Sequence, residues 1–211
     1  MPPDRESEKL AHLLRIGRTR GHVFYDEIDR ILAPGREAVA ELDTILSELT
    51  MNSIEVIDEP RTEDSVPDES YFEREEIQGH FGDSVPLRMY LREVLMVPRL
   101  TAHEEKELAR RLNEASSMLP TSDVRTANQD AKEAEKRLIE ANLWIALATA
   151  THFANRGLRF LDLIQEGNIG LMRAVREYNY LRTYSFPTYA TWWVRKAIIQ
   201  SLRDNDAKQR E

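Results

Sequence analysis

The stretch 160-FLDLIQEGNIGLMRAVREY-178 decides the fold, because its apolar and polar residues separate at helical spacing. Apolar residues recur every three or four positions, which is the period of one helix face. The inward face would be formed by Phe160, Leu163, Ile164 and Leu171, and the polar edge by Asp162, Gln165, Glu166 and Asn168. The spacing therefore predicts a helix with one buried face and one solvated face.

Similar spacing predicts helices along most of the chain. Three helices are expected in the first 60 residues, the first capped by Ser7 and ended by Gly21. Further helices are expected from 85 to Pro98, at 102–115 behind a capping box of Thr101 and Glu104, at 131–155 and from Pro187 onward. Residues 116–130 are expected to form a loop. Only 53-SIEVIDEP-60 alternates like a short strand or an extended tail. The sequence therefore predicts an all-α protein.

The charge of the chain is unevenly distributed. The formal net charge is −8, with −11 over residues 1–82 and +3 over residues 83–211. Acidic residues are dense between Glu55 and Glu76, where Pro60 and Pro67 interrupt any regular element. We therefore expect a small acidic helical domain at 1–60, a flexible acidic linker at 61–82 and a larger helical domain at 83–211.

Several classes of site are absent from the sequence. The chain of 211 residues has no cysteine, and its five histidines have no metal-ligand spacing. No phosphate-binding loop or nucleophile motif is present. These absences predict a protein that is not an enzyme and that carries neither metal nor cofactor. No apolar run is long enough for a membrane span and the start is not a signal peptide, so we expect a cytoplasmic protein.

The segment 184-YSFPTYATWWVRKAI-198 combines aromatic rings with cations. Two of the three tryptophans and two of the seven tyrosines lie here, beside Arg195 and Lys196. Aromatic platforms beside cations suit an unpaired nucleic-acid strand, because bases stack on the rings and phosphates pair with the cations. A buried aromatic core is the competing interpretation, and composition alone does not choose between the two.

Two long motifs resemble a known family. The motifs 160-FLDLIQEGNIGLMRAV-175 and 186-FPTYATWWVRKAI-198 are similar to the central domain of housekeeping-type bacterial RNA polymerase sigma factors. The segments 87-LRMYLREV-94, 99-RLTAHEEKELARRL-112 and 137-RLIEANLWIAL-147 resemble the regions before and within that domain. Residues 7–60 resemble the acidic autoinhibitory domain of primary sigma factors, which is thought to occupy the DNA channel of the polymerase. The resemblance covers most of the chain.

The resemblance implies two partners, core RNA polymerase and promoter DNA. The surface that docks on the coiled coil of the largest polymerase subunit would be formed by Asp162, Gln165, Glu166, Asn168 and Met172. The non-template strand of the minus-ten element would be bound and melted by Tyr184, Phe186, Tyr189, Trp192, Trp193, Arg195, Lys196 and Gln200. The unpaired discriminator would be contacted by Arg88, Tyr90, Leu91 and Arg92. In this scheme we expect the rings of the last helix to face outward and to receive an extruded base.

The chain also departs from the family pattern. Trp144 stands where the family has arginine, which puts a contact to the single strand in doubt. Ser185 and Pro187 replace a lysine and a serine, and 203-RDNDAKQRE-211 departs from the family sequence. The domains that read the minus-thirty-five element are not expected in this chain. An alternative hypothesis is therefore a decoy that docks on core polymerase without supporting initiation, and a purely structural helical protein is a further one.

Overall fold

The computed structural model describes residues 5–32, 37–58, 85–117 and 124–209. It separates into two compact units, one of Met1–Glu63 with Leu181–Thr188 and one of Asp64–Tyr180 with Tyr189–Glu211. The predicted acidic linker at 61–82 lies outside the described residues. Within the described ranges, no helix is both long and apolar enough to cross a bilayer.

The first unit contains three helices and a small sheet. Helices α1 (Arg5–Arg20), α2 (Tyr25–Asp29) and α3 (Glu37–Met51) are joined by strands β1 (His22–Phe24) and β2 (Glu55–Ile57). The strands pair in parallel, with Val23 opposite Val56. Their core comprises Leu13, Val23, Ile28, Leu42, Leu46 and Leu49, all nearly inaccessible to solvent.

The predicted start of α1 is wrong, whereas its predicted end agrees with the structure. The helix begins at Arg5, so Ser7 lies inside it rather than at its cap. Gly21 follows the last turn with φ of 81°, a left-handed conformation that glycine adopts without strain. The sequence did not predict β1, because three residues are too short for alternation to be recognised. The two short strands are the only sheet among the described residues, and the prediction of an all-α fold is confirmed.

The second unit is built around one long central helix. Its helices are α4 (Val85–Met96), α5 (Ala102–Ser117), α6 (Val124–His152), α7 (Phe160–Glu177) and most of α8 (Phe186–Lys208). Helix α6 packs against α4, α5 and α7. The predicted capping box is present, since Thr101 and Glu104 exchange backbone and side-chain hydrogen bonds of 2.7–3.3 Å. Fully buried residues of this core include Leu138, Ile145, Leu147, Leu163, Ile164, Leu171, Val194 and Ile198.

The predicted loop at 116–130 is wrong at its first two residues, where α5 continues to Ser117, and again from Val124 onward, where α6 already begins. Arg111 of α5 donates a hydrogen bond of 2.9 Å from Nε to Asp130, and this partly exposed ion pair links the second turn of α6 to α5. Such a contact between two helices is tertiary and leaves no periodic signal in the sequence. Residues 118–123 lie outside the described residues.

Two glycines let α7 approach its neighbours closely. A Cβ atom on Gly170 would lie 2.6 Å from the carbonyl oxygen of Trp193, and one on Gly167 would lie 3.1 Å from the Cβ of Ala146. The first separation is shorter than a carbon and an oxygen can tolerate, and the second would require Ala146 to move by a few tenths of an ångström. The glycines therefore fix the inward face of α7 against α6 and α8 and determine which face of α7 points to solvent.

Candidate nucleic-acid interface and docking face

The aromatic residues of α8 form one connected cluster. The ring centroids of Trp192 and Trp193 are 5.3 Å apart, and those of Tyr189 and Trp193 are 6.4 Å apart. Tyr178, at the end of α7, extends the cluster with a centroid 5.6 Å from that of Tyr189. These separations are typical of aromatic pairs that stabilise a core as well as of stacked recognition surfaces.

The expectation that these rings face outward is wrong for four of them. Tyr184, Phe186, Tyr189 and Trp192 each have at most 2% of their surface exposed. Tyr189 and Trp192 are three residues apart on one side of α8, and burying such rings removes a large apolar area from water. Trp193 remains half-buried and keeps part of its indole accessible.

The cations of α8 are divided between the interior and the surface. The ammonium of Lys196 is exposed and lies 4.4 Å from the ring centroid of Trp192 and 5.6 Å from that of Trp193. Arg195 is buried, and its guanidinium lies 5.3 Å from the ring centroid of Phe153. Gln200 is exposed and donates a hydrogen bond of 2.8 Å to Asp204. The exposed ridge of α8 is therefore formed by Lys196, Gln200 and Arg203, without Tyr189 or Trp192.

Helix α8 begins at Phe186 through a cap that sequence reading did not assign. The hydroxyl of Ser185 accepts a hydrogen bond of 3.3 Å from the backbone N–H of Thr188 and lies 2.8 Å from the Thr188 hydroxyl. Serine is a favoured N-cap residue, and Pro187 fits the first turn because it needs no hydrogen-bond acceptor there. The departures at Ser185 and Pro187 thus form a helix start, and the signal for it was the Ser-x-Pro spacing.

The segment before α8 is bound within the first unit. Asp43 of α3 accepts a short hydrogen bond from the Tyr184 hydroxyl and pairs with Arg182 at 3.0 Å. The hydroxyl of Tyr25 donates a hydrogen bond of 2.9 Å to the carbonyl oxygen of Thr188. Asp43 keeps 19% of its side-chain surface exposed and Arg182 keeps 42%, so the carboxylate is better shielded from water than the guanidinium. The acidic first unit therefore holds residues that were predicted to melt DNA.

The residues predicted to contact the discriminator lie on α4 in two environments. Arg88 and Arg92 are exposed, whereas Tyr90 and Leu91 are half-buried. The Tyr90 hydroxyl donates a hydrogen bond of 3.1 Å to the side-chain oxygen of Asn168 on α7. Burial raises the pKa of this hydroxyl, and the hydrogen bond partly offsets the rise. A predicted DNA-contacting residue is thus joined to a predicted polymerase-docking residue 78 positions away.

The docking residues predicted on α7 line one side of the helix. Gln165 is exposed, and Asp162, Glu166, Asn168 and Met172 are half-buried. Asp162 accepts a hydrogen bond of 2.8 Å from Arg159, which fixes the carboxylate near the start of the helix. On the opposite side, the residues predicted to pack inward are buried, namely Phe160, Leu163, Ile164 and Leu171. The predicted amphipathic helix is present.

A groove between α7 and α8 has a volume of about 330 Å³. Its α7 wall includes Glu166, Ile169 and Arg173, and its α8 wall includes Gln200 and Asp204. It brings one predicted docking residue, Glu166, beside one predicted DNA-contacting residue, Gln200. Among the residues that the structure describes, no group of histidine and carboxylate side chains could hold a metal ion.

Sequence reading missed a buried acid in the second unit. Glu105 of α5 has 6% of its surface exposed and makes a hydrogen bond with Asn142 of α6. Burial raises the pKa of Glu105 to about 7, although the hydrogen bond with Asn142 opposes the rise. Burial, together with the nearby Glu105, also raises the pKa of Tyr178, whose ring contacts that of Tyr189. The available signal was a carboxylate on the inward side of α5.

The raised pKa of Glu105 predicts a pH-dependent stability. The unfolded chain loses this proton near pH 4.5 and the folded chain near pH 7, so the contribution of Glu105 is largest below pH 4.5. It declines between these values and is lost above pH 7, where the buried charge costs on the order of 2–3 kcal/mol. Glu105→Gln should flatten this decline and raise the free energy of unfolding by about 2 kcal/mol at pH 8. Urea titrations from pH 4 to 9 measure the change.

The exposed Glu177 provides the control for this titration. Glu177→Gln removes the same charge from the surface and should shift the unfolding free energy by only a few tenths of a kcal/mol. If the free energy of unfolding of Glu105→Gln depended on pH in the same way as that of wild type, the assignment of Glu105 as a buried acid would be contradicted.

Comparison with known proteins finds three family matches along the chain. Residues 4–78 match sigma-70 factor region 1.1, residues 86–114 match sigma-70 factor region 1.2, and residues 138–208 match sigma-70 region 2. The chain belongs to the sigma-70 family. The RNA polymerase sigma factors SigA of Listeria monocytogenes and Listeria innocua are each 37% identical to this sigma-70 chain over 202 residues, which cover 91% of it and 50% of the relative.

The sigma-70 chain therefore spans about half the length of the curated relatives that it matches. The predicted family is confirmed by these matches. Sigma factors are initiation factors that carry no enzymatic activity, so the prediction that the chain is not an enzyme is also confirmed. The second unit contains the described residues that match regions 1.2 and 2, except those of the segment Leu181–Thr188.

Proposed function

We propose that the chain binds core RNA polymerase and recognises and melts the minus-ten element of promoters. The proposal is supported above all by the consecutive matches to three sigma-70 regions, joined to the outward polar face of α7. Because core polymerase and the chromosome share the bacterial cytoplasm, the protein acts there. It needs no cofactor, since binding energy rather than nucleotide hydrolysis drives the melting.

Docking uses the exposed side of α7. Gln165 projects into solvent, and the half-buried Asp162, Glu166, Asn168 and Met172 surround it, giving a polar patch with one apolar contact. This composition suits a helical partner with basic and apolar residues, such as the coiled coil of the largest polymerase subunit. The buried opposite face and the two glycines keep the patch rigid, which lowers the entropic cost of binding.

DNA recognition uses the exposed ridge of α8 together with its aromatic cluster. Lys196, Gln200 and Arg203 can meet the last paired bases and the phosphates, because all three are exposed on one side of the helix. Extruding a base costs a few kcal/mol, which stacking on aromatic rings can offset. Tyr189 and Trp192 are buried, so stacking on them requires that the cluster first open. Arg88 and Arg92 of α4, with Tyr90 and Leu91, contact the discriminator.

The first unit restrains the melting segment until promoter DNA competes for it. Asp43 accepts hydrogen bonds from the hydroxyl of Tyr184 and the guanidinium of Arg182. Phosphates and bases of DNA would otherwise contact these two groups. The first 82 residues carry the acidic excess of the chain. Their carboxylates and the phosphates of DNA therefore compete for the same cations. Salt weakens such competition. The unit therefore acts as an autoinhibitory domain.

Removing the Asp43 charge should relieve this restraint. Asp43→Asn weakens the hydrogen bond from Tyr184, worth about 1.5–3 kcal/mol for a charged acceptor, and the more exposed pair with Arg182, worth at most about 1 kcal/mol. We expect the free chain to bind single-stranded minus-ten DNA about tenfold more tightly, as measured by fluorescence anisotropy. The exposed Asp29 gives a matched control, because Asp29→Asn removes the same charge. An equal gain for both variants would show a general charge effect instead of a specific restraint.

The burial of Tyr184, Phe186, Tyr189 and Trp192 favours a second candidate, a decoy that docks without melting DNA. The two functions are separated by mixing the purified chain with core polymerase and a promoter carrying an extended minus-ten element. Capture of core polymerase followed by permanganate-reactive thymines and transcripts supports an initiation factor. Capture without either signal supports the decoy, and no capture contradicts both proposals.

A further inference from the structure

The side chains of Arg99 and Trp144 form a stacked pair in the second unit. The guanidinium carbon of Arg99 lies 4.3 Å from the centroid of the Trp144 ring, well inside the range of cation–π contacts. Arg99 follows the end of α4 by three residues, and Trp144 lies on α6, against which α4 packs. Arg99 is exposed and Trp144 is half-buried.

Arg99 differs from four other arginines of this unit. Arg110, Arg111, Arg159 and Arg176 each pair with one or more carboxylates. Arg99 makes no ion pair or hydrogen bond with any described residue, although the chain carries more acidic than basic side chains overall. Burial also lowers the pKa of Arg99 through desolvation. A cation that is held in place but not neutralised is available for an anionic or aromatic ligand from outside.

The chemistry of the pair fits an unpaired nucleotide. A guanidinium is planar and can stack on a base with its face while its N–H groups contact a phosphate oxygen. The indole fixes the guanidinium on one side, which leaves the solvent-exposed side for the ligand. Position 144 carries arginine in the family pattern, so in this chain Arg99 supplies the cation that Trp144 lacks.

We propose that Arg99, supported by Trp144, binds an unpaired base and its phosphate in single-stranded DNA. The inference rests on the proposed function, because it assigns a further contact to the same melted strand. Arg99 touches the nucleotide, and Trp144 is a positioning residue that holds the guanidinium. In the sequence, Arg99 follows Arg88 and Arg92 of α4, which are also exposed cations.

The test measures binding of a fluorescent single-stranded DNA of about 12 nucleotides to the 211-residue chain across a range of salt concentrations. Arg99→Leu should weaken binding about tenfold and reduce the slope of log K against log salt by about 0.7, the value for one phosphate of a single strand. Arg99→Lys should keep the slope and lose about threefold in affinity, because an ammonium pairs with phosphate but stacks poorly. Trp144→Leu should weaken binding severalfold, and Trp144→Phe should restore it.

Arg176 gives the matched control, because it is exposed and already paired with Glu135. Arg176→Leu removes the same charge and should change the affinity less than twofold. Equal losses for Arg99→Leu and Arg176→Leu, or wild-type binding by Trp144→Leu, would overturn the proposed site. So would a loss of polymerase capture by Arg99→Leu without any loss of DNA binding, which would assign the pair to a protein partner.

Lys196→Ala distinguishes failure of this site from failure of the proposed function. Weaker binding by Lys196→Ala with no effect at Arg99 and Trp144 overturns only the stacked pair. Wild-type binding by all of these variants, or no binding by the wild-type chain, overturns both proposals.

Discussion

Tyr189→Ala is expected to lower the free energy of unfolding by about 3–5 kcal/mol, the usual cost of truncating a buried aromatic side chain. Tyr189 is fully buried, and its ring contacts those of Tyr178 and Trp193. Removing the ring leaves a cavity in the second unit between the end of α7 and the middle of α8. Urea titration followed by circular dichroism measures the loss.

The burial of Tyr189 also predicts how Tyr189→Ala affects DNA binding and polymerase capture. Because Tyr189→Ala weakens the whole second unit, it should reduce DNA binding and also reduce polymerase capture near the unfolding temperature. Tyr189→Phe retains the ring, so its stability should stay within about 1 kcal/mol of wild type and its DNA binding within a few-fold. An unchanged unfolding curve for Tyr189→Ala would contradict the packing of the aromatic cluster.

Gln165→Ala is expected to weaken capture of core polymerase about 30- to 100-fold, as a central residue of a docking patch does when truncated. Gln165 is the exposed residue among the five predicted docking residues, and no described residue accepts or donates a hydrogen bond to its side chain. Its loss should therefore leave the unfolding free energy within about 0.5 kcal/mol of wild type. Biolayer interferometry with immobilised core polymerase measures the affinity.

The control for Gln165 is Gln209, an exposed glutamine just beyond the end of α8. Gln209→Ala should bind core polymerase like wild type, and both variants should bind single-stranded DNA like wild type. Similar affinities of Gln165→Ala and Gln209→Ala for core polymerase would contradict docking through α7.

Periodicity predicted the helices well where one face is apolar. The inward residues of α7 and the capping box of Thr101 and Glu104 could be read from the sequence because each depends on residues within one or two turns. Short-range spacing failed at Val124, because 124-VRTANQD-130 is largely polar and shows no apolar face although the helix already includes it. It also failed for β1, which among the described strands pairs with one more than 30 residues away.

The candidate site shows the same division between local and tertiary information. The sequence by itself determined that α8 combines rings with cations and that α7 has a polar edge, because both properties follow from residue type and helical spacing. Only the tertiary structure decided that Tyr189 and Trp192 are buried while Lys196 is exposed, that Asp43 holds Tyr184, and that Arg99 lies on Trp144. Helical spacing fixes which side chains share a face, but burial depends on what packs against that face, and those partners lie far away along the chain.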